Sequence, residues 1–141
     1  MNTEKFEKSC GAITFTREGG EIKYLLVEEM HGAISFPKGH VEGNETEEET
    51  AMREIEEETS LAPSFIEGFK RVQEFPLLDS PGTTKQVVYF LFDYTGQTPK
   101  IVRPYEVRSL KSLPLQEALN TIQFQNMRDV LVEADDFIKK L

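Results

Sequence analysis

Glu54, Glu57 and Glu58 stand at i, i+3 and i+4 within the run Arg53-Glu54-Ile55-Glu56-Glu57-Glu58. On a helix that spacing puts all three carboxylates on one face. Like charges so placed repel by a few tenths of a kcal/mol per pair on a solvated helix. A helix that only had to be soluble would intersperse lysines, yet residues 45–58 hold eight glutamates and a single base, Arg53. A hard divalent cation relieves such repulsion, because Mg2+ and Mn2+ prefer carboxylate oxygens. The plain alternative is a solvated acidic face, and the glutamates alone do not decide between the two.

A longer pattern surrounds the run: Gly39, then Glu45, then Arg53-Glu54-Ile55, Glu57-Glu58 and Ser60-Leu61. It resembles the Nudix box, the signature of the Nudix hydrolases, at every defining position except Ser60, where that family usually has glycine. A pattern of this length is far more specific than a lone glycine-rich loop. The resemblance implies an α/β fold of the Nudix type, an α/β/α sandwich around a mixed β-sheet. It also implies that Glu54, Glu57 and Glu58 ligate one or more Mg2+ ions, with Mn2+ an acceptable substitute. The backbone carbonyl of Gly39 is a plausible further ligand, since glycine permits close approach. Arg53 is expected on another side of the helix, paired with Glu45 and orienting loop against helix. The alternative for that pair is a surface contact worth under about 1 kcal/mol. A further carboxylate often comes from outside the box in this family; Glu106 is the candidate, with an ordinary loop glutamate as its alternative. A glycine just past a helix end adopts the left-handed conformation. A serine there would cost about 1–2 kcal/mol, so the helix is expected to end differently in this chain.

The chemistry fits the residues. Hydrolysis of a phosphoanhydride needs charge neutralisation and an aligned water more than it needs a covalent nucleophile. No Ser or Cys nucleophile motif is present, and His31 and His40, the two histidines, lack the spacing of a His-rich metal site.

Substrate residues follow from a narrower likeness. Phe36-Pro37-Lys38-Gly39-His40-Val41-Glu42 is similar to the opening of the box in diadenosine tetraphosphate hydrolases, and in diphosphoinositol polyphosphate hydrolases. Lys85 and Tyr89-Phe90 resemble the strand on which the former place a phosphate-binding lysine and an adenine-stacking tyrosine. Gln123-Phe124 followed by Met127 also resembles that branch. The implied substrate contacts are Lys38, His40, Lys85, Tyr89 and Phe124. Each has a structural alternative: Lys85 as a strand-end solubilising residue, Tyr89 and Phe124 as core, His40 as a loop-structuring group.

Composition narrows the rest. A chain of 141 residues fits one domain spanning 1–141. The net charge of −9 resides mainly in residues 45–58, which leaves the remainder near −2. No basic stripe runs along the chain, so a long nucleic acid is not an expected partner; a small nucleotide polyphosphate carried in with Mg2+ is. The single cysteine, Cys10, excludes an intrachain disulfide and reads as a small hydrophobe in a strand. Met1-Asn2-Thr3-Glu4-Lys5 lacks a hydrophobic signal region, and the longest apolar run, Val87 to Phe92, is too short to cross a bilayer. A cytoplasmic monomer or homodimer is expected, without membrane association.

The positioning elements follow from periodicity. Cys10–Phe15 and Ile22–Glu28 read as antiparallel strands around the Gly19-Gly20 turn. Ile34–His40 reads as an extended loop broken by Pro37 and Gly39, and Glu45–Thr59 as a helix with a thin apolar stripe of Ala51, Met52 and Ile55. Phe65–Phe75 and Gln86–Tyr94 form a hairpin, Val107–Leu110 a short strand, and Leu115–Thr121 a helix opened by Pro114. From Phe124 to Leu141 the apolar spacing is that of an amphipathic helix. Three functions are compatible with this layout. They are asymmetric cleavage of diadenosine tetraphosphate to ATP and AMP, a sanitising nucleoside triphosphate pyrophosphohydrolase, and a non-catalytic nucleotide sensor on the same fold. The last would be expected to lose box glutamates, and this chain keeps them.

Overall fold

Strands with uninterrupted apolar runs have to be covered on both faces, and this chain has them near Ala12 and Val88. In the computed structural model, which describes residues 5–141, β1 (Lys5–Glu18) and β6 (Thr83–Asp93) pair in parallel at the middle of the sheet. Met1–Glu4, part of the segment read above as free of a hydrophobic leader, lies outside the described residues. Along both strands the side chains alternate between two buried clusters. Cys10, Ala12, Val88, Phe90 and Phe92 pack with Ala51 and Ile55 of α1 (Glu47–Thr59). Ile13, Phe15, Val87, Tyr89 and Leu91 pack with Val130, Leu131, Ala134 and Ile138 of α3 (Gln125–Lys139) and Ala118 of α2 (Leu115–Thr121). The result is the expected α/β/α sandwich, with α1 alone on one face of the sheet and α2 and α3 on the other.

The remaining strands are β2 (Glu21–Glu29), β3 (Ile34–Ser35), β4 (Lys38–His40), β5 (Ser64–Pro76) and β7 (Val107–Pro114). The main path runs β3-β2-β1-β6-β5, with β4 pairing β1 and β7 pairing β2. The edge of β1 opposite β6 is shared. β2 takes Phe15–Glu18, while β4 takes Ser9–Gly11. This split lets Lys38, Gly39 and His40 enter the sheet beside α1, where an extended loop had been expected.

A buried hydrogen bond ties the second layer to the sheet. The Tyr24 hydroxyl on β2 donates to Asp135 Oδ1 on α3 at 2.6 Å, and Lys139 Nζ reaches Asp135 Oδ2 at 2.7 Å. Burial, reinforced by Asp135, pushes the Tyr24 phenol far above its usual range. Cys10 is fully buried, and burial raises its thiol to about 11, so it is an inert packing residue. No helix among the described residues is long and apolar enough to cross a membrane.

Two details of α1 differ from expectation. It begins at Glu47, because Thr46 is its N-cap: Glu49 N–H donates to Thr46 Oγ1 (3.1 Å), and Thr46 N–H donates to Glu49 Oε1 (2.9 Å). This reciprocal capping box satisfies two orphan donors and leaves Glu45 just outside the helix. At the other end, Ser60 does adopt the left-handed conformation, with φ 63° and ψ 4°. Its N–H donates to Glu56 O at 3.0 Å. The helix thus ends as a glycine would end it. The cost of the serine side chain is accepted because Leu61 must turn straight into the core, where it is 2% exposed.

Candidate active site

Arg53 is the hub of the box. Its Nε donates to Glu45 Oε2 at 2.7 Å and its Nη2 to Glu45 Oε1 at 3.2 Å, a two-point pair. Nη2 also donates to the His40 carbonyl at 2.9 Å, tying α1 to β4. The pairing with Glu45 is thus present, but the expectation that Arg53 faces away from the other glutamates needs correction. Its Nη1 donates to Glu54 Oε1 at 2.8 Å and Glu57 Oε2 at 3.1 Å. The guanidinium fork is long and planar enough to serve both directions at once. Its hydrogen bond holds the Glu45 carboxyl down at about 2, with the Glu42 backbone N–H assisting.

The three box carboxylates have unequal surroundings. Glu54 lies against the Cα of Gly39, and a Cβ there would collide with its carboxylate; Gly39 is needed for this close approach. Glu58 accepts from the Lys38 backbone N–H at 3.1 Å. Burial, then Glu54, pushes its carboxyl up to about 8 despite that bond. Burial also raises Glu54, against the pull of Arg53. Glu57 is shared between Arg53 and Arg103 Nη2, the latter at 3.4 Å.

Among the described residues no three His, Cys, Asp or Glu side chains converge closely enough to hold a metal as they stand. Arg53 engages Glu54 and Glu57, while the Lys38 N–H engages Glu58. The donor set still suits a hard divalent ion. Carboxylate oxygens crowd a half-buried face, and burial raises the Glu58 and Glu54 carboxyls, so a cation bound beside them would stabilise their charged forms.

Beside the box, β1, β4 and β6 bring three of the expected substrate residues together. Lys85 Nζ donates to Ser9 Oγ at 2.6 Å and lies 3.2 Å from His40 Nε2. Burial lowers the pKa of Lys85 and of Lys38. Lys38 also lines a cavity of about 330 Å3 together with Phe75, Val87, Tyr89 and Phe124. Here one expectation changes. Tyr89, foreseen as a stacking platform, is only 1% exposed. Its ring meets Phe36 edge-on at 5.9 Å and lies across Gly11, where a Cβ would come within 3.1 Å of it. Tyr89 therefore forms part of the wall, and the open aromatic ring is Phe124, 55% exposed at the N-cap of α3.

Glu106 meets the box through another cavity. This second cavity, of about 360 Å3, is lined by Glu106, Glu58, Glu29, Met30, His31 and Tyr105. The Glu106 carbonyl accepts from Met30 N–H at 3.0 Å, and its carboxylate lies 3.6 Å from Arg103 Nη1.

The family model for the NUDIX domain matches residues 5–133. The chain belongs to the Nudix family. It is 32% identical to the Mus musculus protein named bis(5'-nucleosyl)-tetraphosphatase [asymmetrical], over 93% of this chain and 95% of that one. Its fold matches that of a C. elegans Ap4A hydrolase in a binary complex, with a TM-score of 0.85 at 22% identity, covering 96% and 99% of the two chains. It also matches the NUDIX domain of Shewanella oneidensis NrtR complexed with ADP ribose. There the TM-score is 0.75 at 18% identity, covering 98% and 90%.

Around this Nudix box, sequence reasoning passed over Arg103, Glu29 and Tyr105. Arg103 joins Glu57 on α1 to Glu106 on the loop before β7. Its proximity to Glu57 is the first cause of its raised pKa. No local signal marks these residues, because each depends on the β2–β7 pairing that brings Glu29 opposite Val107. The Thr46-to-Glu49 capping box, by contrast, is written in the sequence as T-x-x-E.

Proposed function

We propose that this Nudix hydrolase is a single domain over residues 1–141 that cleaves dinucleoside polyphosphates. The leading substrate is diadenosine tetraphosphate, split asymmetrically to ATP and AMP, with Mg2+, or Mn2+, as cofactor and the cytoplasm as setting. The observation that carries this reading is the cavity between Lys38 and Phe124, which adjoins the box glutamates through the Lys38–Glu58 bond. The names of the relatives at about a third identity support it.

When bound, a divalent ion supplies charge neutralisation at phosphate oxygens and acidifies water. Glu54, Glu57 and Glu58 would hold it. Arg53 keeps Glu54 and Glu57 on one side of α1 and ties that helix to the His40 carbonyl. The Lys38 N–H aims Glu58. Glu106, which lines the cavity shared with Glu58, would take a proton from attacking water. Lys38 and Lys85 attract the polyphosphate, with His40 beside Lys85. A flat adenine stacks on Phe124 above the Tyr89 wall. Stacking of this kind is worth about 1–3 kcal/mol per base. Anchoring one adenosine at a fixed distance from the carboxylates makes the cleavage asymmetric.

The test is a substrate panel with Mg2+, run with and without EDTA, and with products separated. Diadenosine polyphosphates, nucleoside triphosphates, ADP-ribose and diphosphoinositol polyphosphates form the panel. ATP plus AMP from diadenosine tetraphosphate is expected. A clear preference for a nucleoside triphosphate would replace the reading with the sanitising activity, and two ADP products would refute the anchoring. Full turnover in EDTA would defeat the metal assignment. Binding without turnover of any panel member would make the chain a sensor.

A further inference from the structure

Two of the cavities that border the box share a seam. Lys38 lines the cavity that holds Phe124, while Glu58 lines the cavity that holds Tyr105. The Lys38 N–H to Glu58 bond, 3.1 Å, joins the two walls. Their volumes are close, about 330 and 360 Å3, within the range of small-ligand pockets.

The Tyr105 side is built firmly. Met30 N–H donates to the Glu106 carbonyl at 3.0 Å, and Arg108 Nη2 donates to the Met30 carbonyl at 3.0 Å. Gly32, with φ +94°, closes the turn through its N–H to the Glu29 carbonyl at 2.9 Å. Gln123 holds the far end of that turn, accepting from Ile34 N–H at 3.2 Å and donating to the Gly32 carbonyl at 3.3 Å. On this pinned frame Tyr105 is 72% exposed and Met30 is 45% exposed. Exposure alone decides nothing, since Leu78 is more exposed still. What distinguishes Tyr105 is that it borders a cavity opening onto Glu58.

Charge separates the two cavities. The first has Lys38 in its wall, near Lys85. The second has Glu29, Glu58 and Glu106, with His31 paired to Glu29 at 3.1 Å. Carboxylates repel a free phosphate tail, but they accept hydrogen bonds from ribose hydroxyls and exocyclic amines. An uncharged sugar and base with a short phosphate link therefore suits this side.

We propose that the cavity between the Met30–His31 turn and Tyr105 is the subsite for the second nucleoside of the substrate, with Tyr105 as its stacking face. This rests on the dinucleoside reading above and adds a residue that discriminates dinucleotides from mononucleotides. The test compares diadenosine tetraphosphate with adenosine 5'-tetraphosphate, which lacks the second nucleoside. The quantity read is the ratio of their kcat/KM values in the wild type, Tyr105→Ala and Tyr105→Phe, with thermal melts of each.

Tyr105→Ala should lower the wild-type preference for the dinucleotide by about tenfold, as the loss of one base–aromatic stack would. Tyr105→Phe should keep that preference, because the flat ring remains. An unchanged ratio in Tyr105→Ala overturns the subsite, as does a wild type that treats the two tetraphosphates alike. If the wild type does not cleave diadenosine tetraphosphate at all, the functional reading fails and takes the subsite with it. The wild-type measurement thus distinguishes the two failures.

Discussion

The two sides of the Lys38–Glu58 seam are made in different ways. The box draws Arg53, Glu54, Glu57 and Glu58 from less than two turns of one helix, with Glu45 and Gly39 close by in the chain. The Phe124 cavity draws Lys38 from β4, Phe75 from β5, Val87 and Tyr89 from β6, and Phe124 from the N-cap of α3. Groups on one helical face keep their mutual geometry wherever the helix docks. Groups from four elements hold theirs only if the whole sandwich packs correctly. Changes in the box should therefore act on kcat in steps. Changes in the cavity should act on KM in graded fashion, except where they open the core.

The sharpest way to break this contrast is Glu57→Gln. We expect at least about a 10²-fold loss in kcat, from failed metal positioning and water activation. The rise in melting temperature on adding Mg2+ should shrink in parallel, by linkage. Without metal, stability should change by less than about 1 kcal/mol, because Glu57 loses two partly exposed ion pairs while keeping an acceptor oxygen. Near-normal turnover would remove Glu57 from the site.

Next in size is Phe124→Ala. It should raise KM for diadenosine tetraphosphate about tenfold and leave kcat and melting temperature nearly unchanged, since the ring is half exposed and stacks equally in ground and transition states. Tyr89→Leu, which removes the flat ring but keeps an apolar side chain in the wall, should shift KM far less in the folded enzyme. The opposite ranking would return Tyr89 to the role of platform.

Glu45→Gln probes the hub by pH. The Glu45 carboxyl is held at about 2 against an ordinary 4.5. A depressed carboxyl contributes stability that is fully present above the ordinary value and fades as pH falls through the folded one. The melting-temperature advantage of the wild type over Glu45→Gln should be constant above pH 4.5 and disappear on approach to pH 2. An advantage independent of pH across that window would deny Arg53 its role there.

The smallest effect belongs to Ser60→Gly. Relief of the left-handed serine should stabilise the fold by up to about 1 kcal/mol, partly offset by the greater freedom of glycine in the unfolded chain. Chemical denaturation reads it directly, and a loss of stability would mean the serine conformation is not strained.

How far the sequence could be read varies from residue to residue. The α1 helix and its carboxylate face were legible because periodicity and charge lie within one short segment. The amphipathic pattern from Phe124 onward likewise placed α3, and the strand readings at Cys10–Phe15 and Gln86–Tyr94 fell within β1 and β6. Ser60 was misread because a local steric cost was taken as decisive, whereas burial of Leu61 outweighs it. Tyr89 was misread because a tyrosine on a substrate-facing strand can point into the core as well as out. Its direction is set by Gly11 and Phe36, which lie far away in the chain.

By itself, then, the sequence determined the spacing of the carboxylates, the arginine among them, and the alternation that makes a two-faced sheet. These are properties of neighbouring residues and of backbone period. Only the tertiary structure decided which strands flank the box. It alone brought Lys85 beside His40 through the shared edge of β1. It alone set Glu106, Arg103 and Tyr105 against Glu58 or Glu57 through the pairing of β2 with β7. Those contacts join residues tens of positions apart, and no local pattern encodes them, because their distances follow from which strands pair and in what register.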